Sequence, residues 1–153
     1  MKKLLWPLCV TVVLLSAFGL GLALAYLTEE QSYDQIKGAD IAPPAQAART
    51  IGILHEGDFP GMSDVPVTAQ QAAPGRAALN ALRGQSYTRV FPFLRPDKGG
   101  IAVRDINGCT PWYIAYWDGK RLWLPGEREG QWQGYTPSTP DKLGETLESI
   151  HNK

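Results

Sequence analysis

Cysteine and histidine are nearly absent. The 153 residues contain two of each, Cys9 and Cys109, His55 and His151. So few ligands exclude a disulfide framework and leave little from which to build a metal site. Net charge is missing as well, with 15 basic residues against 15 acidic. A nucleic-acid-binding chain would carry a basic excess, and no such partner is expected. There is also no phosphate-binding glycine pattern, no Gly-x-Ser-x-Gly elbow and no His-Glu-x-x-His helix. No cofactor is expected, and no internal repeat points to a solenoid.

The most telling absence is local. Leu4 to Leu27 contains no charged residue, and a run of about 24 residues at ~1.5 Å rise spans a ~30 Å hydrocarbon core. Met1-Lys2-Lys3 precedes it and Thr28-Glu29-Glu30 follows, so the lysines stay inside and residues 28–153 face the periplasm. Residues 1–27 therefore read as a signal-anchor, with the membrane contacted through residues 4–27. The other outcome is a signal peptide cleaved after Ala25, because Ala23-Leu24-Ala25 has the small-x-small pattern. The chain is then either anchored in the inner membrane or secreted to the periplasm. In both cases Cys9 cannot pair with Cys109, which is left as a lone thiol.

Residues 28–49 are polar, then rich in Pro and Ala around Ala42-Pro43-Pro44-Ala45, with too little apolar bulk to bury; they read as a stalk. Residues 50–153 read as one small globular domain. Thr50 to Leu54 is a short strand, and Glu56 to Pro66 a loop. Thr68 and Gln71 have capping-box spacing, but Pro74 inside such a helix costs about 3 kcal/mol, so the expected helix starts at Pro74 and ends at Gly84.

The expected strands are then Ser86–Leu94, placed at an edge by Pro92, Gly100–Ile106, Thr110–Trp117 and Lys120–Leu124, with Gln131–Tyr135 as a fifth. Asn107-Gly108 and Asp118-Gly119 are read as type I′ turns. Pro140 opens a last helix capped by Thr139, with Leu143, Leu147 and Ile150 in one stripe. The fold class is α+β: a four- to five-stranded antiparallel meander with a short preceding helix and a C-terminal helix on one face.

The aromatic hairpin is the main functional signal. A two-residue Asp118-Gly119 loop pairs Tyr116 with Arg121 and Ala115 with Leu122. Tyr113, Ala115, Trp117, Leu122 and Leu124 then share one face, and Trp112, Ile114, Tyr116, Arg121 and Trp123 the other. Neither face is polar, so both need cover or one recognises a partner. Trp112, Tyr116, Arg121 and Trp123 have the composition of an interface hot spot or a sugar-stacking platform. The alternative is that these rings fill the core. Ala115-Tyr116-Trp117-Asp118-Gly119 followed by Trp123 resembles a short hairpin of a small phage-associated family of unknown function; the resemblance implies no activity and does not amount to membership.

Charge is unevenly spread. Residues 28–75 are acidic and residues 76–104 basic through Arg76, Arg83, Arg89, Arg95, Lys98 and Arg104. Those cations form either a face for an acidic partner or a solvated surface partly neutralised by the acidic half. Cys109 with His55 as base, oriented by Asp58 or Asp105, is the best catalytic candidate. His55-Glu56-Gly57-Asp58 as metal ligands and Glu127 with Glu129 as an acid/base pair are weaker patterns. The expected function is a non-enzymatic module binding another envelope or secreted protein, in an accessory, inhibitor or immunity-like role. A thiol-dependent hydrolase and a cell-wall glycan-binding module are the alternatives.

Overall fold

The computed structural model describes residues 2–36, 49–57, 66–91, 94–106, 112–125 and 131–152. Its first element, α1 (Lys2–Thr28), has 27 residues, about 40 Å at ~1.5 Å each. The side chains from Val10 to Leu24 are exposed, so no described residue covers this apolar surface. Over Cys9–Thr28 the helix is long and apolar enough to cross a membrane.

One mixed sheet follows, built from β1 (Gln31–Ser32), β2 (Arg49–Ile53), β3 (Ser86–Arg89), β4 (Ile101–Asp105), β5 (Trp112–Trp117), β6 (Leu122–Pro125) and β7 (Trp132–Pro137). Their order is β1-β3-β7-β6-β5-β4-β2. The fold is thus α+β as expected, but with seven strands in place of four or five. β4 to β7 form the expected meander. The surprises lie at the two edges, where β3 pairs with β7 and not with β4, and β2 runs parallel to β4.

The expected pairing of the Ser86–Leu94 strand with the Gly100–Ile106 strand fails for a simple reason. β3 ends at Arg89, before Pro92, and residues 90–100 must reach β4 across β7, β6 and β5. Four strand spacings of ~4.8 Å make about 19 Å, well within the reach of those residues at ~3.3 Å each. The described end of this connection reaches the face opposite the helices, where Asp97 O and Gly100 N bond the Tyr116 hydroxyl.

On the helix face, α2 (Tyr33–Ile36), α3 (Ala69–Arg83) and α4 (Pro140–His151) enclose the main core. Ile51, Ile53, Val103, Ala115, Trp117, Leu122 and Leu124 meet Ala78, Leu82, Leu143 and Leu147 there, all buried. Residues 31–36 belong to this domain although they were expected in the stalk, because Tyr33 and Ile36 are buried and Gln31-Ser32 pairs with β3. Residues 37–48 of the expected stalk lie outside the described residues, and Arg49, its last residue, opens β2.

α3 begins one and a half turns before Pro74, contrary to the sequence expectation. The full Thr68–Gln71 capping box forms, and the longer helix places Ala72 on the same buried stripe as Gly75, Ala78 and Leu82. Tertiary burial and the cap together outweigh the proline. α4 matches its expected bounds, with Leu143 and Leu147 buried and Ile150 packed against them. Thr139 does not cap it through its side chain. Its hydroxyl instead donates to buried Gln85 Oε1 at 2.7 Å, which also accepts from Thr139 N and Ser138 Oγ. That side-chain amide ties the end of α3 to the start of α4.

Candidate functional site

The hairpin closes differently from its expected register. Trp117 pairs with Leu122 and Tyr116 with Trp123, leaving a four-residue loop, Asp118 to Arg121. A type I′ turn needs positive φ at both central residues, whereas only Gly119 has it, at 98°. Asp118 holds the wider loop instead, with Oδ1 accepting from Lys120 N at 2.9 Å and Arg121 N at 2.8 Å. The slip moves each partner by two residues, so Ala115, Tyr116, Trp117, Leu122, Trp123 and Leu124 keep their expected faces.

That second face is covered. Tyr116 and Trp123 are 0% and 1% exposed, in a small cluster with Ala102, Val90 and Trp132. The crossing connection provides part of the cover. Tyr116 Oη donates to Asp97 O at 2.6 Å and accepts from Gly100 N at 3.0 Å. Trp123 Nε1 donates to Asp118 Oδ2 at 2.6 Å, and its indole lies over Gly134, where an added Cβ would come within 2.7 Å of the ring. Burial raises the Tyr116 hydroxyl above its ordinary value. Both rings are packed and hydrogen-bonded, and neither presents a flat face to solvent.

The strand pattern does not group the other two residues of the expected platform with them. Arg121 is a half-buried turn residue outside β6. Trp112 opens β5 opposite Asp105. Between Val103 and Arg104 the β4–β5 register shifts, leaving Ile114 as the extra residue of a bulge. Simple alternation does not run through that bulge, so it no longer groups Trp112 with Tyr116. The missed signal was length, because residues 90–100 are far longer than a hairpin turn and had to pass over something.

Elsewhere, β2 and β4 end side by side and bring His55 Nε2 to 3.6 Å from Asp105 Oδ2. Two of the residues named from the sequence are thus brought near each other. Asp105 Oδ1 is buried and accepts no hydrogen bond among the described residues. Cys109, Asp58, Glu127 and Glu129 lie outside the described residues. Among the described residues no three His, Cys, Asp or Glu side chains gather as metal ligands, and His151 is exposed at the end of α4.

The basic stretch does not act as one face. Arg76 pairs with Glu56 at 3.1 Å, Arg83 with Asp34 at 3.3 Å, and the Arg89 guanidinium sits 4.1 Å from the Tyr26 ring centre. Two of these cations are therefore matched by acids from the N-terminal half. A further pair, Arg49 with Glu148, is bidentate and ties β2 to α4. Those hydrogen bonds hold the Glu148 carboxyl below its ordinary range and raise Arg49.

One feature of the backbone was not legible in the sequence. β2 is the last strand in the sheet, and among the described residues nothing pairs with its outer edge. In the parallel ladder Arg49 N bonds Gly100 O and Ile106 N bonds Ile53 O, so residues 49, 51 and 53 face β4. The N–H and C=O groups of Thr50 and Gly52 then point outward. Thr50 to Leu54 carries no charge and no proline to block an added strand.

No protein-family model matches the chain, and neither a curated protein nor a solved structure is significantly similar to it.

Proposed function

We propose that the chain is an envelope protein held in the membrane by α1, whose domain binds another envelope or secreted protein without catalysing a reaction. The observation that carries this reading is the open outer edge of β2. An extended segment of the partner would add as an eighth strand there, its main chain bonding to Thr50 and Gly52 while Ile51 and Ile53 stay in the core. Such binding needs neither Tyr116 nor Trp123 on the surface.

The test is affinity purification of the full chain from its own membranes, beside a Thr50→Pro variant. Proline removes an outward donor and no ladder hydrogen bond, so the fold survives, as its melting curve should show. Loss of one co-purifying protein in this variant alone supports the reading. Equal recovery with Thr50→Pro refutes it.

A second reading, thiol-dependent hydrolysis, is favoured by the His55–Asp105 approach. It requires Cys109 as nucleophile. Cys109→Ala and His55→Ala separate the two readings, because hydrolysis of an envelope substrate would vanish in both while partner capture would persist. A glycan-binding role loses its support with the burial of Tyr116 and Trp123.

A further inference from the structure

α1 leads through Glu29-Glu30 into β1, and β1 pairs antiparallel with β3 in the register Gln31 with Tyr87 and Ser32 with Ser86. Because β1 runs away from α1, β3 must run back toward it. Two contacts fix this direction. Gln31, the first residue of β1, stands beside Tyr87, and two residues further along β3 the Arg89 guanidinium covers the Tyr26 ring of α1. The β3–β7 ladder continues one step more, with Val90 N donating to Gly134 O at 3.0 Å.

Phe91 therefore emerges beyond Arg89 toward the apolar part of α1, by up to about 7 Å at ~3.3 Å per residue. Leu94 is held beside it, its N–H donating to Phe91 O at 3.1 Å. Phe91 and Leu94 are the described residues of this tip. Phe91 is 55% exposed and Leu94 38%, and outside α1 they are the exposed large apolar side chains of the described residues. Tyr26, also exposed, marks the end of the apolar helix, where aromatic residues sit at the level of lipid headgroups.

We infer that this tip is a second membrane contact: Phe91 and Leu94 enter the outer interface of the bilayer that α1 crosses. The inference rests on the anchored reading of α1 proposed above. Arg89 would lie at headgroup level, its cation over Tyr26, as long basic side chains do at an interface. Along the chain, the cations flanking the tip, Arg89 and Arg95, are matched in number by Glu29 and Glu30 after α1, so the contact is apolar and does not require anionic lipid. Its consequence is orientation. A helix followed by a flexible joint lets a domain tumble, whereas two attachments hold β3 end-on to the membrane.

Spin labels test this in the full chain reconstituted into phosphatidylcholine vesicles, in a Cys9→Ser, Cys109→Ser background. Single labels go at Phe91→Cys and Leu94→Cys, at Val13→Cys within α1, and at Glu145→Cys on the exposed side of α4. All four positions are exposed, so labelling leaves the fold intact, as circular dichroism would check. Oxygen, which concentrates in lipid, should relax the labels at 91, 94 and 13 more than a water-soluble nickel chelate does, with the order reversed at 145. If 91 and 94 behave like 145 while 13 is shielded, the tip contact is wrong and the anchor stands. If 13 itself is open to the chelate, the anchored reading fails and this inference with it.

Discussion

Replacing Gly75 by alanine sets two opposing effects against each other, and the structure decides between them. In the interior of a helix, alanine is favoured over glycine by about 1 kcal/mol. A Cβ on Gly75, however, would lie 2.6 Å from Ile53 Cα and 3.1 Å from Gly52 O and Leu54 N. Ordinary carbon contacts are about 3.5–4.0 Å. The clashing atoms are all backbone of β2 or of Leu54 just after it, so no side-chain rotation relieves them, and α3 must lift by about 1 Å. Overpacking of this kind costs about 1–3 kcal/mol. Lifting α3 also loosens Ala72, Ala78 and Leu82, which are fully buried on the same stripe. The net expectation is a loss of about 1–2 kcal/mol, or about 4–8 °C in midpoint.

Gly144 in α4 provides the control. A Cβ there would meet Trp117 at 3.4 Å, an ordinary contact. Gly144→Ala should therefore keep most of the helix gain and raise the midpoint by about 2–4 °C. The assay is thermal unfolding of the full chain in detergent, followed by near-ultraviolet circular dichroism, because far-ultraviolet signal from α1 would mask the domain. A Gly75→Ala midpoint at or above that of the parent would refute the close packing of α3 on β2.

Three further outcomes follow from the same contacts. Tyr116→Phe deprives buried Gly100 N and the Asp97 carbonyl of their partner, which should cost about 1–3 kcal/mol in urea denaturation and speed hydrogen exchange at the Gly100 amide. Unchanged exchange would mean that the crossing connection is held by other groups. Asp118→Ala removes the acceptor for Trp123 Nε1 and for two loop amides; a loss of about 2 kcal/mol is expected, and no loss would show that the loop geometry is set elsewhere. Because the Glu148 carboxyl is held below its ordinary range by Arg49, its contribution is present above about pH 4.3 and disappears as pH falls through the lowered folded value. Both side chains are substantially exposed, so the pair is worth under about 1 kcal/mol. Glu148→Gln should flatten that part of the acid-stability curve, and an unchanged acid limb would count against the pair.

The sequence by itself settled what depends on neighbours along the chain. The charge-free run produced α1, the stripe of Leu143, Leu147 and Ile150 produced α4, and alternation along β5 and β6 sorted Ala115, Trp117, Leu122 and Leu124 from Tyr116 and Trp123. That sorting survived an error in the loop, since a slip of two residues preserves side-chain faces. The capping box at Thr68 was also legible, but its weight against Pro74 was not, because that balance turns on how much Ala72 and Gly75 bury against β2.

Only the tertiary structure decided the strand order, and with it which surfaces are free. Local pattern says that a segment is a strand without saying which strand it joins. β3 went to β7, so residues 90–100 had to cross the sheet, and that crossing helped to bury Tyr116 and Trp123. The same arrangement left β2 at the far edge, with one side unpaired among the described residues, and turned Phe91 toward the end of α1. The physical reason is that pairing is fixed by closure between residues distant in sequence, and that closure transfers exposure from the rings of the hairpin to an edge and a turn.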